Sequence, residues 1–347
     1  MPSDAFWADL WESGEGGSKV IPRRPTELVP VRRVQYGAAP QQFCELRLPP
    51  LPVAPRLARP IDGEATARVP VAVFVHGGFW KSEWSLDLSH AMAEDLAQHG
   101  WASWNIEYRR VGYKSNGYEG QEGAGFPGTL QDVSTALDSL ADIRTPDGEP
   151  DLDLERVILI GHSAGGHLAL WLAQAHRQTT ISLLPPLPGA QEHQAASQRR
   201  CRIVPLAVVG QAPVADLHEA FAKHLSDDGD ATERFMGGGP EDSDELARYY
   251  NDVSPAALLP LGCAQLLVSG TEDSDVPIEL TRAYAEKVRT TVPADTVTML
   301  EFPGCGHYEI ITPMDPTWPQ QRAAIEELLQ HASASLAAAG YERSVSL

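Results

Sequence analysis

Cysteine is scarce in this chain, and what there is lies scattered. Cys44, Cys201, Cys263 and Cys305 are the only four in 347 residues, and none stands in a CxxC or a Cys/His pair at zinc spacing. The sequence therefore offers neither a metal site nor a disulfide framework, and the four read as reduced, buried thiols. The opening stretch, MPSDAFWADLWESGEGG, lacks both a basic n-region and a continuous apolar run. It resembles neither a signal peptide nor a transmembrane helix, so the expectation is a soluble cytoplasmic protein with no membrane partner. Basic residues are a minority as well: 27 Lys and Arg against 47 Asp and Glu leave a formal charge of −20. A surface of that sign opposes phosphate backbones and anionic lipid, and nucleic acid is excluded as a partner.

What the chain does have is apolar residue, 43% of the composition, enough to fill a sizeable core. VRRVQY and FCELRLP read as two short antiparallel edge strands. VPVAVFVHG, WASWNIEY, RVILIGH, RIVPLAVVG, AQLLVSG and TVTMLEFPG follow as short apolar runs. Several carry too little polar alternation for a half-exposed strand, which fits a parallel sheet covered on both faces. Helical patterns lie between them: SLDLSHAMAEDLAQHG, TLQDVSTALDSLADI, AGGHLALWLAQAHR, PIELTRAYAEKVR and PQQRAAIEELLQHASASLAAA. Strand and helix alternate, so the fold class is α/β, a mostly parallel doubly wound sheet of about eight strands with right-handed crossovers.

The organisation expected is a polar N-terminal extension over residues 1–30 and a single domain over 31–340. Two segments break its rhythm. Residues 177–202 are rich in proline, glutamine and serine and too long for an ordinary connection. Residues 216–252 hold eleven acids against Lys223, Arg234 and Arg248, a composition suited to a small solvated cap or lid.

Chemistry concentrates in RVILIGHSAGGHLALWLA. There Gly161-His162-Ser163-Ala164-Gly165 joins an apolar strand to an amphipathic helix, the context a GxSxG nucleophile elbow requires. Such a turn leaves Ser163 exposed above the sheet at a helix N-terminus, where backbone amides and the helix dipole favour negative charge. A serine needs a base, and the base needs an orienting acid, in the chain order Ser, Asp or Glu, His. His307, in the loop of LEFPGCGHYEI before the last helix, is the base by position. His90, His99, His176 and His331 fall in or beside helices without that context. For the acid, LLVSGTEDSDVPIEL offers Glu272, Asp273 and Asp275. Asp273 sits where the strand-end loop is read, Asp275 is its neighbour and Asp216 the distant alternative, each also able to serve as a helix cap.

Attack by Ser163 on a carbonyl creates an oxyanion that needs preorganised donors. One is the Ala164 amide. Others are expected from His76-Gly77-Gly78-Phe79, where glycine lets backbone approach the substrate, so that the Gly78 and Phe79 amides point inward while His76 braces the loop. Phe79, Trp80, Trp84 and His162 are the candidate walls of the substrate pocket.

These motifs resemble the α/β-hydrolase superfamily, and HGGFW with GHSAGGH looks like its bacterial esterase and kynurenine formamidase group. The similarity runs from about Tyr36 to the final helix and includes NIEYRRVG, FPGTLQDV and SGTEDSDVP. It implies Ser163 as nucleophile, His307 as base and then acid, Asp273 as its orienting partner, and Gly78, Phe79 and Ala164 as oxyanion donors. Two departures stand out, SGTED where the group has HGTxD, and the long 177–202 insertion. The function expected is a serine hydrolase without cofactor or metal, cleaving a small ester or an aryl formamide such as N-formylkynurenine through an acyl-enzyme, with a kynurenine formamidase the reading the resemblance favours. A general carboxylesterase is the alternative, and a non-catalytic small-molecule binder the alternative from another class. The partner expected is a small ester or amide, with a homodimer left open.

Overall fold

In the computed structural model the described residues are 29–51, 57–60, 67–112, 117–176, 201–291 and 297–338. Most of the N-terminal extension and nearly all of the 177–202 insertion therefore lie outside the described residues.

The described residues form the strands β1 (Arg32–Gln35), β2 (Phe43–Arg47), β3 (Arg59–Pro60), β4 (Ala67–Val75), β5 (Ala102–Ile106), β6 (Asp151–His162), β7 (Ala207–Gln211), β8 (Ala264–Gly270) and β9 (Val297–Phe302), and from β4 to β8 these coincide with the apolar runs of the sequence. Their spatial order is β1-β2-β5-β4-β6-β7-β8-β9, with the two-residue β3 paired to β4 beside that path. Pairing is antiparallel from β1 through β2 to β5, and parallel from there to β9. This is the mostly parallel sheet with an antiparallel edge that the apolar runs predict.

The helices are α1 (His90–Gln98), α2 (Gly128–Asp138), α3 (Ala164–Ala175), α4 (Leu217–Ala222), α5 (Ala231–Met236), α6 (Asp244–Val253), α7 (Ile278–Thr291) and α8 (Trp318–Ala338). Val69 and Val71 to Val75 of β4, Val157 to Ile160 of β6 and Leu168 to Ala173 of α3 are all buried in one apolar core. At about 25 cal/mol per Å² of apolar area withdrawn from water, that centre is the main source of stability. One strand is shorter than its apolar run: RIVPLAVVG joins the sheet only from Ala207, because Pro205 has no N–H to give a ladder.

The acidic segment folds into α4, α5 and α6. Asp216 caps α4 by accepting from His218 N at 3.0 Å and Glu219 N at 3.3 Å, and Ser243 caps α6 by accepting from Leu246 N at 3.1 Å. The segment packs against the loop after β4 and against α3 through Phe235, which stacks on Trp80 and lies edge-on to His167. Among the described residues, no helix is long and apolar enough to cross a membrane.

Candidate active site

Strand β6 ends at His162 and α3 begins at Ala164, leaving Ser163 alone to make the turn at φ 56° and ψ −121°. A non-glycine residue there is strained by about 1–3 kcal/mol and persists only when its surroundings over-determine it. They do: Ser163 N donates to Gln211 O at 2.8 Å, and its carbonyl accepts from His167 N and Val214 N, each at 3.1 Å. Gly165 is needed for a different reason, since a Cβ there would lie 2.1 Å from the Val75 carbonyl oxygen of the neighbouring strand. The hydroxyl so placed is 1% exposed as a residue, and Ser163 Oγ has no hydrogen-bond partner among the described residues.

His307 shares a cleft with it, in the loop after β9. Its Nδ1 stands 2.7 Å from Asp273 Oδ2, which puts the proton on Nδ1 and leaves Nε2 as a bare acceptor. The other Asp273 oxygen accepts from the amides of Asp275 and Val276 at 2.9 and 2.8 Å. The carboxylate is thereby fixed on both sides. Asp275 gives its backbone amide to Asp273, Asp216 caps α4, and the Asp273 carboxylate is hydrogen-bonded to the histidine ring.

His162 lies beneath rather than on the cleft wall. It is 2% exposed, donates from Nε2 to the His307 carbonyl at 3.0 Å, and rests 4.4 Å from the His307 ring. Burial, and then the neighbouring His307, push its pKa well below the usual histidine value, so it is a neutral prop for the His307 loop.

The segment after β4 supplies the facing wall. Its backbone passes through positive φ at three successive residues, Gly78 (104°), Phe79 (49°) and Trp80 (56°). Among the described residues no acceptor takes the amide protons of Gly78 or Phe79, nor that of Ala164 at the first position of α3. Three unclaimed donors therefore lie around the serine. The cleft itself, about 340 Å³ including its open mouth, is lined by Gly78, Phe79, Lys81, Glu83, Trp84, Ser163, Asp227, His307 and Tyr308.

Of the aromatics the sequence singles out, Phe79 and Trp84 line this cleft. Trp80 does not: it is fully buried, its ring 4.4 Å from Phe235 and edge-on to His167 at 5.4 Å, because the repeated positive φ turns it away from the cleft and into the core. Lys81, Glu83, Asp227 and Tyr308 are lining residues that the sequence reasoning missed. Tyr308 could have been found beside His307, and Lys81 and Glu83 within the same HGGFWKSEW stretch. Asp227 carries only the signal of the acidic segment to which it belongs. Lys81 is 3% exposed, and burial lowers its pKa against the raising pull of Asp228, Asp227, Asp230 and Glu83.

The family model described as BD-FAE matches residues 60–288, a span that holds Ser163 and Asp273 and stops short of His307. Esterase LipC of Mycobacterium tuberculosis is 26% identical over 278 residues, 80% of this chain and 59% of that protein. The probable carboxylic ester hydrolase LipM of the same organism is 25% identical over 248 residues, 71% of this chain and 51% of that one. The chain thus spans between half and three fifths of the length of the curated relatives it matches. Among solved structures, esterase B from Lactobacillus rhamnosis superposes with a TM-score of 0.64 at 19% identity, over 92% of this chain and 90% of that one. At that identity the likeness speaks for the fold, which is that of the α/β-hydrolases.

Proposed function

The chain belongs to the BD-FAE family within the α/β-hydrolase esterases, and from that premise we propose that it is a carboxylesterase acting through a serine acyl-enzyme. The observation that carries this reading is the meeting, in one cleft, of an unpartnered Ser163 hydroxyl and a His307 ring whose Nδ1 is tied to Asp273. Ser163 attacks the ester carbonyl while His307 Nε2 takes the hydroxyl proton. The unclaimed amides of Gly78, Phe79 and Ala164 meet the oxyanion as it forms. His307 then returns the proton to the departing alcohol, and water repeats the sequence on the acyl-enzyme. The hydroxyl and the ring are not hydrogen-bonded in the free site, a separation common before substrate closes the geometry.

Ester rather than formamide hydrolysis is favoured because the curated relatives are esterases by name. One positive and two negative side chains, Lys81, Glu83 and Asp227, line the cleft, so neutral or zwitterionic substrates enter at less electrostatic cost than anionic ones.

The experiment compares kcat/KM for p-nitrophenyl esters of short and long acids with that for N-formyl-L-kynurenine, on the wild-type chain and on Ser163→Ala. Ester turnover above formamide turnover, abolished in the variant, is the expected result. A formamide value above every ester would replace the carboxylesterase by an arylformamidase on the same machinery. Activity that survives in Ser163→Ala would overturn the assignment of the nucleophile.

A further inference from the structure

Behind the loop that carries the Gly78 and Phe79 amides lies a second histidine and carboxylate pair, wholly buried and outside the reacting cleft. His76 ends the β4 segment, 0% exposed, and Glu107 follows β5, 3% exposed. His76 Nδ1 is 2.8 Å from the Gly77 carbonyl oxygen, and its Nε2 is 3.3 Å from Glu107 Oε1. A carbonyl oxygen can only accept. Glu107 is also an acceptor here, because Leu86 N donates to its Oε2 at 3.0 Å, Tyr108 N to its Oε1 at 3.0 Å, and an Arg110 nitrogen stands 3.1 Å from that same Oε1. With an acceptor before each ring nitrogen, both nitrogens must carry protons to be satisfied.

The first of those bonds has a consequence for the cleft. In a planar trans peptide the C=O and the following N–H point in opposite directions. Holding the Gly77 carbonyl toward the His76 ring therefore turns the Gly78 N–H away from it. The loop lies tight against the nucleophile, for a Cβ on Gly77 would be 3.0 Å from Ser163 Cβ, and Gly78 itself lines the cleft beside Ser163.

We infer that Glu107 is a positioning residue that keeps His76 as an imidazolium, and that this ion, by gripping the Gly77 carbonyl, orients the Gly78 amide as an oxyanion donor. The inference rests on the carboxylesterase reading for its kinetic part only. The remaining surroundings of the ring agree with it. Tyr108 lies flat on His76 with ring centroids 4.2 Å apart and an interplanar angle of 10°, a face that favours a cation, and its hydroxyl donates to the His76 carbonyl at 2.7 Å. Arg110 is the opposing charge, and it spends itself on Glu107. Burial would raise the Glu107 pKa, and the charge and hydrogen bond of His76, with Arg110 and the Leu86 amide, outweigh it and hold the carboxyl below its usual range. His162, the other ring nearby, is neutral.

The test pairs Glu107→Gln with a nitrogen NMR measurement on the wild-type chain. In the wild type, ¹⁵N-labelled His76, assigned through its own backbone, should show both ring nitrogens protonated at neutral pH. In Glu107→Gln the ring should lose one proton at that pH. On p-nitrophenyl butyrate the variant's kcat should fall about 10–100-fold, as for other residues that orient a catalytic group, with KM within about twofold. The alkaline fall of its kcat should begin at lower pH than in the wild type. A wild-type His76 with one bare ring nitrogen overturns the inference even if the variant does not fold. A folded variant with unchanged kcat, or with kcat and KM moving together and the alkaline limb unmoved, overturns it as well. Failure of the wild type to hydrolyse any ester would instead sink the carboxylesterase reading and leave the NMR result to decide the imidazolium.

Discussion

Trp80 lies flat against Phe235, ring centroids 4.4 Å apart and planes 18° from parallel. One ring belongs to the loop that follows β4, the other to α5 of the acidic segment. The stack therefore fastens the wall of the cleft to the segment above it, and the two cannot shift independently.

Removal of that contact should be felt in stability first. Phe235 is 1% exposed, and its truncation to alanine should cost about 3–5 kcal/mol, read as a lower midpoint in urea unfolding with an unchanged slope. Trp80, left against a cavity, should show altered fluorescence in the folded variant. Full wild-type stability in Phe235→Ala would mean that the acidic segment hangs on other contacts.

The placement of Trp80 also shows where the sequence stops being legible. Continuous apolar runs, with little polar alternation, mark β4, β6 and β8 as strands buried on both faces. Beyond Val75 that signal ends. Three successive positive φ values at Gly78, Phe79 and Trp80 decide which aromatic turns to the cleft, and residue types alone do not encode them. Ser163, His307 and Asp273 were findable because elbow, strand-end loop and chain order are local signals. Asp227 was not, because it reaches the cleft from a segment whose position depends on tertiary packing such as the Trp80 stack.

Of the three candidate aspartates, only one should control catalysis. Asp273→Asn keeps the shape of the side chain and removes the charge that selects the Nδ1–H tautomer of His307, so kcat should fall by about 10⁴. Asp275→Asn should stay within about tenfold of wild type. Asp216→Ala should leave kcat near wild type while costing about 1 kcal/mol through the lost cap of α4. Steady-state kinetics on one ester, beside thermal melts, separate the three, and near-normal turnover by Asp273→Asn would reassign the acid.

Charge in the cleft should decide between anionic and neutral substrates. Asp227→Asn removes one of the two carboxylates that line the cleft with Lys81, and it should raise kcat/KM for an ester with a carboxylate-bearing acyl chain about fivefold relative to p-nitrophenyl butyrate. That corresponds to about 1 kcal/mol, the scale of one charge pair at close range in water. The gain should shrink with added salt, since the site opens to solvent. A ratio unmoved by the substitution would show that Asp227 does not act on the substrate.

His167 sets the acid side of stability. It is fully buried in α3, its Nε2 held by the Val253 carbonyl at 2.9 Å, and desolvation takes its pKa from 6.5 down to about 4, against the raising effect of that bond. The unfolded chain therefore binds the proton first. Stability is whole above about pH 6.5 and is lost as pH falls from there toward about 4, by about 3 kcal/mol if the full shift is realised. His162, lowered in the same direction by burial and by His307, adds to the same slope. Urea unfolding at a series of pH values should give a free energy that rises between pH 4 and 6.5, and His167→Gln, which keeps a donor for Val253 and cannot titrate, should flatten part of that rise. An unchanged slope in the variant would mean that the ring takes its proton at the same pH folded as unfolded, and that other groups carry the acid transition.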